Sequence, residues 1–265
     1  MADLHLFQLR LRLPQLFSLA GERGLPKRDV DLGYLVHCQL GELFREAPPT
    51  LFAIPSQHRP AGEMANGSVE VLGYSPTDAR EMLERARRFA APDRWDALVE
   101  DSFRSKPMPR SWERGMEVGF EIRGCPVVRT RRSRTDGERL ANPREIDAFL
   151  ARVEANPDSP IGTLDREAIY REWLAARFVD RSGSELEACK VISMRRDRFV
   201  RRTQKQNEED HRRSKVLERP DVVFQGRLRV KEGEAFNLTL AHGLGRHRAF
   251  GFGMLLLKPA SEAGC

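Results

Sequence analysis

The chain has 265 residues, enough for one large domain or two small ones. Lys and Arg number 45 against 39 Asp and Glu, a formal net charge of +6, and 40% of residues are hydrophobic. That balance excludes a wholly disordered chain, and the absence of any run of about 18 apolar residues excludes a helical membrane span.

The N-terminus is apolar, but Arg10 and Arg12 interrupt what would be a signal-peptide core. Phe7, Leu9, Leu11 and Leu13 alternate with Gln8, Arg10 and Arg12, so His5–Leu13 is predicted as a half-buried strand. Residues 31–47 follow as a helix, with Leu32, Val36, Leu40 and Leu43 on one face. Short strands are expected at Thr50–Pro55 and Ser68–Gly73. A helix is expected to start with Ser75 as N-cap and Pro76 in its first turn and to run to Ala90. With a strand at Leu98–Phe103 the order is βαββαβ, the ferredoxin-like unit.

Lys106-Pro107-Met108-Pro109 is the expected linker, because proline continues neither a helix nor a central strand. It divides the chain into residues 1–108 and 109–265. The second part restarts with a strand at Met116–Ile122, then helices at Pro143–Ala155 and Asp165–Asp180 and strands at Leu186–Val200 and Pro220–Val230. A helix at Glu234–His242 and a strand at Phe250–Leu257 complete it. The predicted class is α+β, two tandem ferredoxin-like (RRM-like) βαββαβ domains without a residue-level repeat. Four cysteines, Cys38, Cys125, Cys189 and Cys265, lie far apart with no CxxC spacing. They point to a reducing, cytoplasmic compartment and away from a disulfide scaffold or a cysteine zinc site.

The charge is unevenly spread. Arg123, Arg129, Arg131, Arg132 and Arg134 share one segment without an acid, and Arg195, Arg196, Arg198, Arg201, Arg202 and Lys205 face only Asp197. Arg212, Arg213 and Lys215 follow. Arginine makes planar, bidentate contacts to phosphate, and clusters between strands suit a nucleic-acid backbone. A solvated loop is the other reading of a charge run, but two such runs in one half of a basic chain favour nucleic acid. Between the last helix and strand lie Gly243, Gly245, Gly251 and Gly253, around Arg246, His247 and Arg248. Glycine lets backbone amides approach a phosphate, although a plain glycine-rich turn fits as well. Lacking GK[ST] and following a helix, the segment is neither a Walker loop nor a dinucleotide fingerprint.

On the 31–47 helix, His37 sits at the edge of the apolar stripe, roughly 60° from Leu40, with Tyr34 three residues before it. Gly33 and Gly41 bracket the pair. Each costs about 1 kcal/mol in a helix interior, which predicts that something approaches there. A His–Tyr pair supplies an acid or base near neutral pH and a phenolic donor. RNA carries its own nucleophile, the 2′-hydroxyl, so such a pair would need only to move protons. A histidine packed at a domain interface fits the same spacing. No carboxylate or thiol completes a metal set around His242 and His247, so neither a metal nor a cofactor is expected.

Three segments together resemble the CRISPR precursor-RNA endoribonucleases of the CasE family, the repeat-processing subunit of type I-E Cascade. Asp31-Leu-Gly-Tyr34-Leu-Val-His37 through Leu40, Leu43 and Phe44 is similar to the family's first helix with its Tyr-x-x-His pair. Phe120-Glu-Ile-Arg123-Gly-Cys-Pro126 is similar to the opening strand of its second domain, usually Phe-Arg-Leu-Arg-Ala-Asn-Pro. Phe224-Gln-Gly226, Gly243-Leu-Gly245 and Gly251-Phe-Gly253 resemble the glycine-rich signature of the RAMP superfamily. The resemblance covers essentially the whole chain.

It implies metal-independent cleavage at the 3′ base of a repeat stem-loop, leaving a 2′,3′-cyclic phosphate and a 5′-hydroxyl. His37 would act as general base or acid and Tyr34 as the family's tyrosine. The enzyme would stay on the crRNA hairpin and join the other Cascade subunits, beside the backbone subunit at the crRNA 3′ end, with no membrane involved. Cys125 replaces the family's Asn, and Cys38 stands where some members have a basic residue. The cation facing the scissile phosphate is therefore open among Arg123, the Arg195–Arg202 cluster and Arg246 or Arg248. A non-cleaving RNA-binding subunit of the same superfamily is the alternative reading; Tyr34 with His37 favours the enzyme.

Overall fold

The computed structural model describes residues 3–25, 31–55, 67–132, 139–157, 161–179, 182–202 and 214–262. In chain order the first elements are β1 (His5–Arg12), α1 (Leu13–Glu22), α2 (Leu32–Phe44), β2 (Phe52–Ala53) and β3 (Ser68–Ser75). Then come α3 (Ala79–Phe89), α4 (Pro92–Trp95) and β4 (Leu98–Pro107). Strands β1 to β4 form one antiparallel sheet in the order β2-β3-β1-β4, the ferredoxin-like arrangement.

The second run is β5 (Glu117–Gly124), β6 (Val127–Arg132), β7 (Arg139–Asp147), α5 (Ala148–Ala155), α6 (Arg166–Ala175), β8 (Ser184–Arg202), β9 (Ser214–Val230), α7 (Gly233–His242) and β10 (Leu255–Lys258). Its sheet reads β10-β5-β9-β8, the same order again, and β6 and β7 pair apart as a hairpin. Both expected βαββαβ units are present, the second with extra elements in its first crossover.

The alternation in β1 does what period two requires. Phe7, Leu9 and Leu11 are fully buried against Leu35, Val36, Leu40 and Leu43 of α2 and Met82 and Ala86 of α3. Each large side chain so buried contributes about 1.5–3 kcal/mol. A second core gathers Phe120 and Ile122 of β5, Phe224 and Leu228 of β9, Trp173 of α6 and Phe236 of α7. Ala53 and Tyr74 from the first sheet, and Leu51 just before it, join it, and Tyr74 Oη donates to the Leu255 carbonyl at 2.9 Å. The two sheets are thus docked through shared apolar side chains and a buried hydrogen bond.

Several local expectations need correction. The strand at 5–13 ends at Arg12, and α1 follows at once. Pro14 lies in its first turn and Leu16, Leu19 and Ala20 pack inward, a start signal hidden behind the strand's alternation. The helix expected from Ser75 begins three residues later. Asp78 is its N-cap, accepting from Glu81 N, while Ser75 closes β3 and its Oγ accepts from Thr77 N. Residues 143–147 are not helix but the end of β7, held in register by β6; the turn into α5 is made by Asp147, which accepts from Phe149 N. The last strand is confined to Leu255–Lys258, and residues 248–250 form a single 3-10 turn. Pro107 ends β4, an edge strand, where a missing N–H is tolerated.

Candidate active site

Helix α2 begins at Asp31, a buried N-cap whose carboxylate accepts from Tyr34 N at 2.7 Å. Burial pushes that carboxyl up to about 6, against the pull of Arg123. Tyr34 and His37 lie on one face of the helix, ring centroids 6.5 Å apart and planes 37° apart. His37 is half-buried; its Nδ1 is shielded from solvent and makes no hydrogen bond to a described residue. Burial lowers the imidazole's pKa, and the Arg23 guanidinium lowers it further. The ring is therefore neutral at neutral pH and ready to accept a proton.

Arg23 escaped the sequence reading because α1, which it caps, was not recognised. Its Nη1 lies 3.2 Å from Cys38 Sγ, and its Nη2 pairs with Glu42. Glu42 is also held by Arg94, which in turn pairs with Glu22. Glu42 of α2 is thus the tether of Arg23, the cation at the end of α1. The two glycines of α2 differ. A Cβ on Gly33 would overlap the Phe250 carbonyl, whereas one on Gly41 would meet nothing within 4 Å. The expected close approach is real at Gly33 and absent at Gly41.

What approaches is the glycine-rich segment. Gly243, Gly245, Gly251 and Gly253 all have positive φ, between 69° and 87°, and His247 joins them at 64°. Leu244 N donates to Gly253 O, closing the segment on itself, and Gly253 N donates to Arg123 O, tying it to β5, both at 2.8 Å. Phe250 projects from it onto Tyr34, ring centroids 5.7 Å apart in a stacked geometry. Phe250, Phe252, Cys125 and Val127 form a small core of their own against Tyr34.

Arg123, expected on phosphate, is turned inward and 7% exposed. It binds Asp221 through Nε at 2.9 Å and Nη2 at 3.0 Å, donates from Nη1 to Phe250 O at 2.8 Å, and lies over the Phe252 ring at 4.0 Å. Buried and paired in this way, it holds the scaffold; a phosphate contact would cost Asp221, fully buried, its bidentate partner. Arg195, exposed at the root of the β8–β9 ribbon, shares Asp221 at 2.9 Å.

Arg246, His247 and Arg219 gather around Glu145 of β7. Arg246 Nε lies 2.5 Å from it, His247 Nε2 3.1 Å and Arg219 3.8 Å. His247 first, then Arg246 and Arg219, push the Glu145 carboxyl down to about 2. Arg129 sits opposite Glu145 in the β6–β7 register, and Arg129 and Arg131 are exposed. Arg248 donates to the His242 carbonyl at 2.6 Å. Strands β8 and β9 stay paired from Ser184 opposite Val230 to Arg202 opposite Ser214, while β5 covers β9 only from Val222 to Arg229. Residues 195–202 and 214–221 therefore leave the sheet as a two-stranded ribbon roughly 25 Å long. Arg195, Arg196 and Arg198 are exposed on it. Arg132, Arg201 and Arg202 belong to their strands, and Arg134 lies outside the described residues. Among the described residues no group of three or more His, Cys, Asp or Glu is placed to hold a metal ion. No described helix is long and apolar enough to cross a membrane.

No curated protein sequence matches the chain. Among solved structures, the CRISPR endoribonuclease Cse3 bound to a 19-nucleotide RNA superposes with a TM-score of 0.57 at 20% identity, over 97% of this chain and 100% of that one. Thermus thermophilus Cse3 with an RNA representing a pre-cleavage complex gives 0.53 at 19% identity, over 97% and 100%. Cas6e from Escherichia coli str. K-12 gives 0.56 at 17%, over 96% and 99%. At these identities the likeness establishes a shared fold. The family described as CRISPR associated protein matches residues 4–259, and the chain, with its two ferredoxin-like sheets, belongs to that family.

Proposed function

We propose that the protein is a metal-independent endoribonuclease that cuts CRISPR repeat RNA at the 3′ base of its stem-loop and then stays on the crRNA hairpin within Cascade. The observation that carries this reading is His37 beside Tyr34 on one face of α2, where the glycine-rich segment closes over the helix. The likeness to Cse3 bound to RNA supports the substrate class.

In this mechanism His37 removes the proton of the 2′-hydroxyl. The 2′-oxygen bonds to the adjacent phosphorus, and the bond from phosphorus to the 5′-oxygen breaks. Tyr34 donates a proton to that leaving oxygen and recovers one from the imidazolium. The products are a 2′,3′-cyclic phosphate and a 5′-hydroxyl, and each proton is returned. Arg23 supplies a positive charge that acts on His37. Residues 1–108 carry the acid–base pair. Residues 109–265 carry Arg129, Arg131, Arg132 and Arg134, the ribbon arginines and Arg246 to Arg248, which grip the backbone of the stem. Binding and cutting are thus assigned to different parts of the chain, so they separate on mutation. His37→Ala is expected to abolish cleavage of a cognate repeat hairpin with its Kd nearly unchanged. Turnover at the wild-type rate would remove His37 from the mechanism.

A further inference from the structure

The glycine-rich segment meets the acid–base helix at Phe250, whose ring lies on Tyr34 and whose carbonyl lies against Gly33. Phe250 is 5% exposed and stacks on Tyr34, planes 27° apart. Its backbone is fixed from two sides, by Arg123 Nη1 on its carbonyl at 2.8 Å and by the bare Gly33 backbone against the same oxygen. Left-handed residues at His247 and Gly251 flank the 3-10 turn that presents it. Arg123 cannot yield, being bidentate on a fully buried carboxylate. Tyr34 is half-buried on α2, with its ring between Phe250, 5.7 Å away by centroid, and His37, 6.5 Å away.

We propose that Phe250, anchored by Arg123, is a positioning residue that holds Tyr34 in the rotamer facing His37, so that the site is complete only with the two sheets docked. The effect on rate rests on the endoribonuclease reading above; the effect on the tyrosine ring does not. The test uses Phe250→Leu, which keeps an apolar side chain but loses the flat face, and Phe250→Tyr, which restores it. In single-turnover cleavage of a repeat hairpin, F250L should be about 10- to 100-fold slower. Its hairpin Kd should stay unchanged, and F250Y should recover the rate. In protein labelled with 13C-tyrosine, F250L should move the ring resonances of Tyr34 and leave those of Tyr74 and Tyr170 in place. Wild-type rate in F250L, or unmoved Tyr34 resonances, would overturn the proposal. Should the wild-type protein fail to cut the hairpin, the endoribonuclease reading falls by itself and the Tyr34 resonances alone decide the role of Phe250.

Discussion

Asp31 caps the helix that carries Tyr34 and His37, and replacing it by Asn should make the protein more stable at neutral pH. Burial raises its carboxyl from 3.8 to about 6 even with Arg123 nearby, so desolvation outweighs attraction. An acid whose pKa is higher folded than unfolded contributes stability while protonated in the fold and loses it as pH rises. Between about pH 4 and pH 6 the unfolded chain has already released the proton that the folded chain keeps, so stability falls across that window and levels off above it. About two units at 1.36 kcal/mol each amount to roughly 3 kcal/mol, a large share of the 5–15 kcal/mol typical of a domain. Asn caps a helix as well as Asp and can accept from Tyr34 N in the same way. Urea unfolding should therefore show D31N about 2–3 kcal/mol more stable than wild type at pH 8, near parity at pH 4, and a flatter pH dependence between. A variant less stable than wild type at pH 8 would show that the Asp31–Arg123 attraction, not burial, governs this corner.

Arg23→Gln should move the acidic limb of the cleavage pH profile upward, because the guanidinium that helps keep His37 neutral is gone; an unmoved limb would mean that burial alone sets the imidazole. Replacing Arg129, Arg131 and Arg132 together should weaken hairpin binding and flatten the plot of log Kd against log salt by up to about two or three units. An unchanged slope would show that β6 does not touch phosphate.

The fold was largely legible because its main signals are local. Alternation marks β1 and β5, and the stripe of Leu32, Val36, Leu40 and Leu43 marks α2. What was hidden depends on distant partners. Pro143 to Asp147 look like a helix start until β6 pairs with them. Arg123 stands first in an arginine run and reads as a phosphate ligand. Its carboxylate partner, Asp221, is 98 residues away and only the β5–β9 pairing brings the two together. Arg23 was missed for the same reason in reverse. Nothing in its own neighbourhood marks it, and its meaning comes from Glu42 and Cys38 on the next helix. The histidine–tyrosine pair could be read from spacing; its closure by Phe250 could not, beyond the hint of a glycine at position 33.

Cleavage by the RNA's own 2′-oxygen is tested most directly with a repeat hairpin carrying a single 2′-deoxyribose at the nucleotide 5′ to the cut. Wild-type protein should bind it as tightly as the all-ribose hairpin and leave it intact, while the all-ribose hairpin is cut to a 2′,3′-cyclic phosphate and a 5′-hydroxyl. Cleavage of the deoxy hairpin at the same position would contradict the mechanism, and an uncut all-ribose hairpin would leave a protein that binds repeat RNA without processing it.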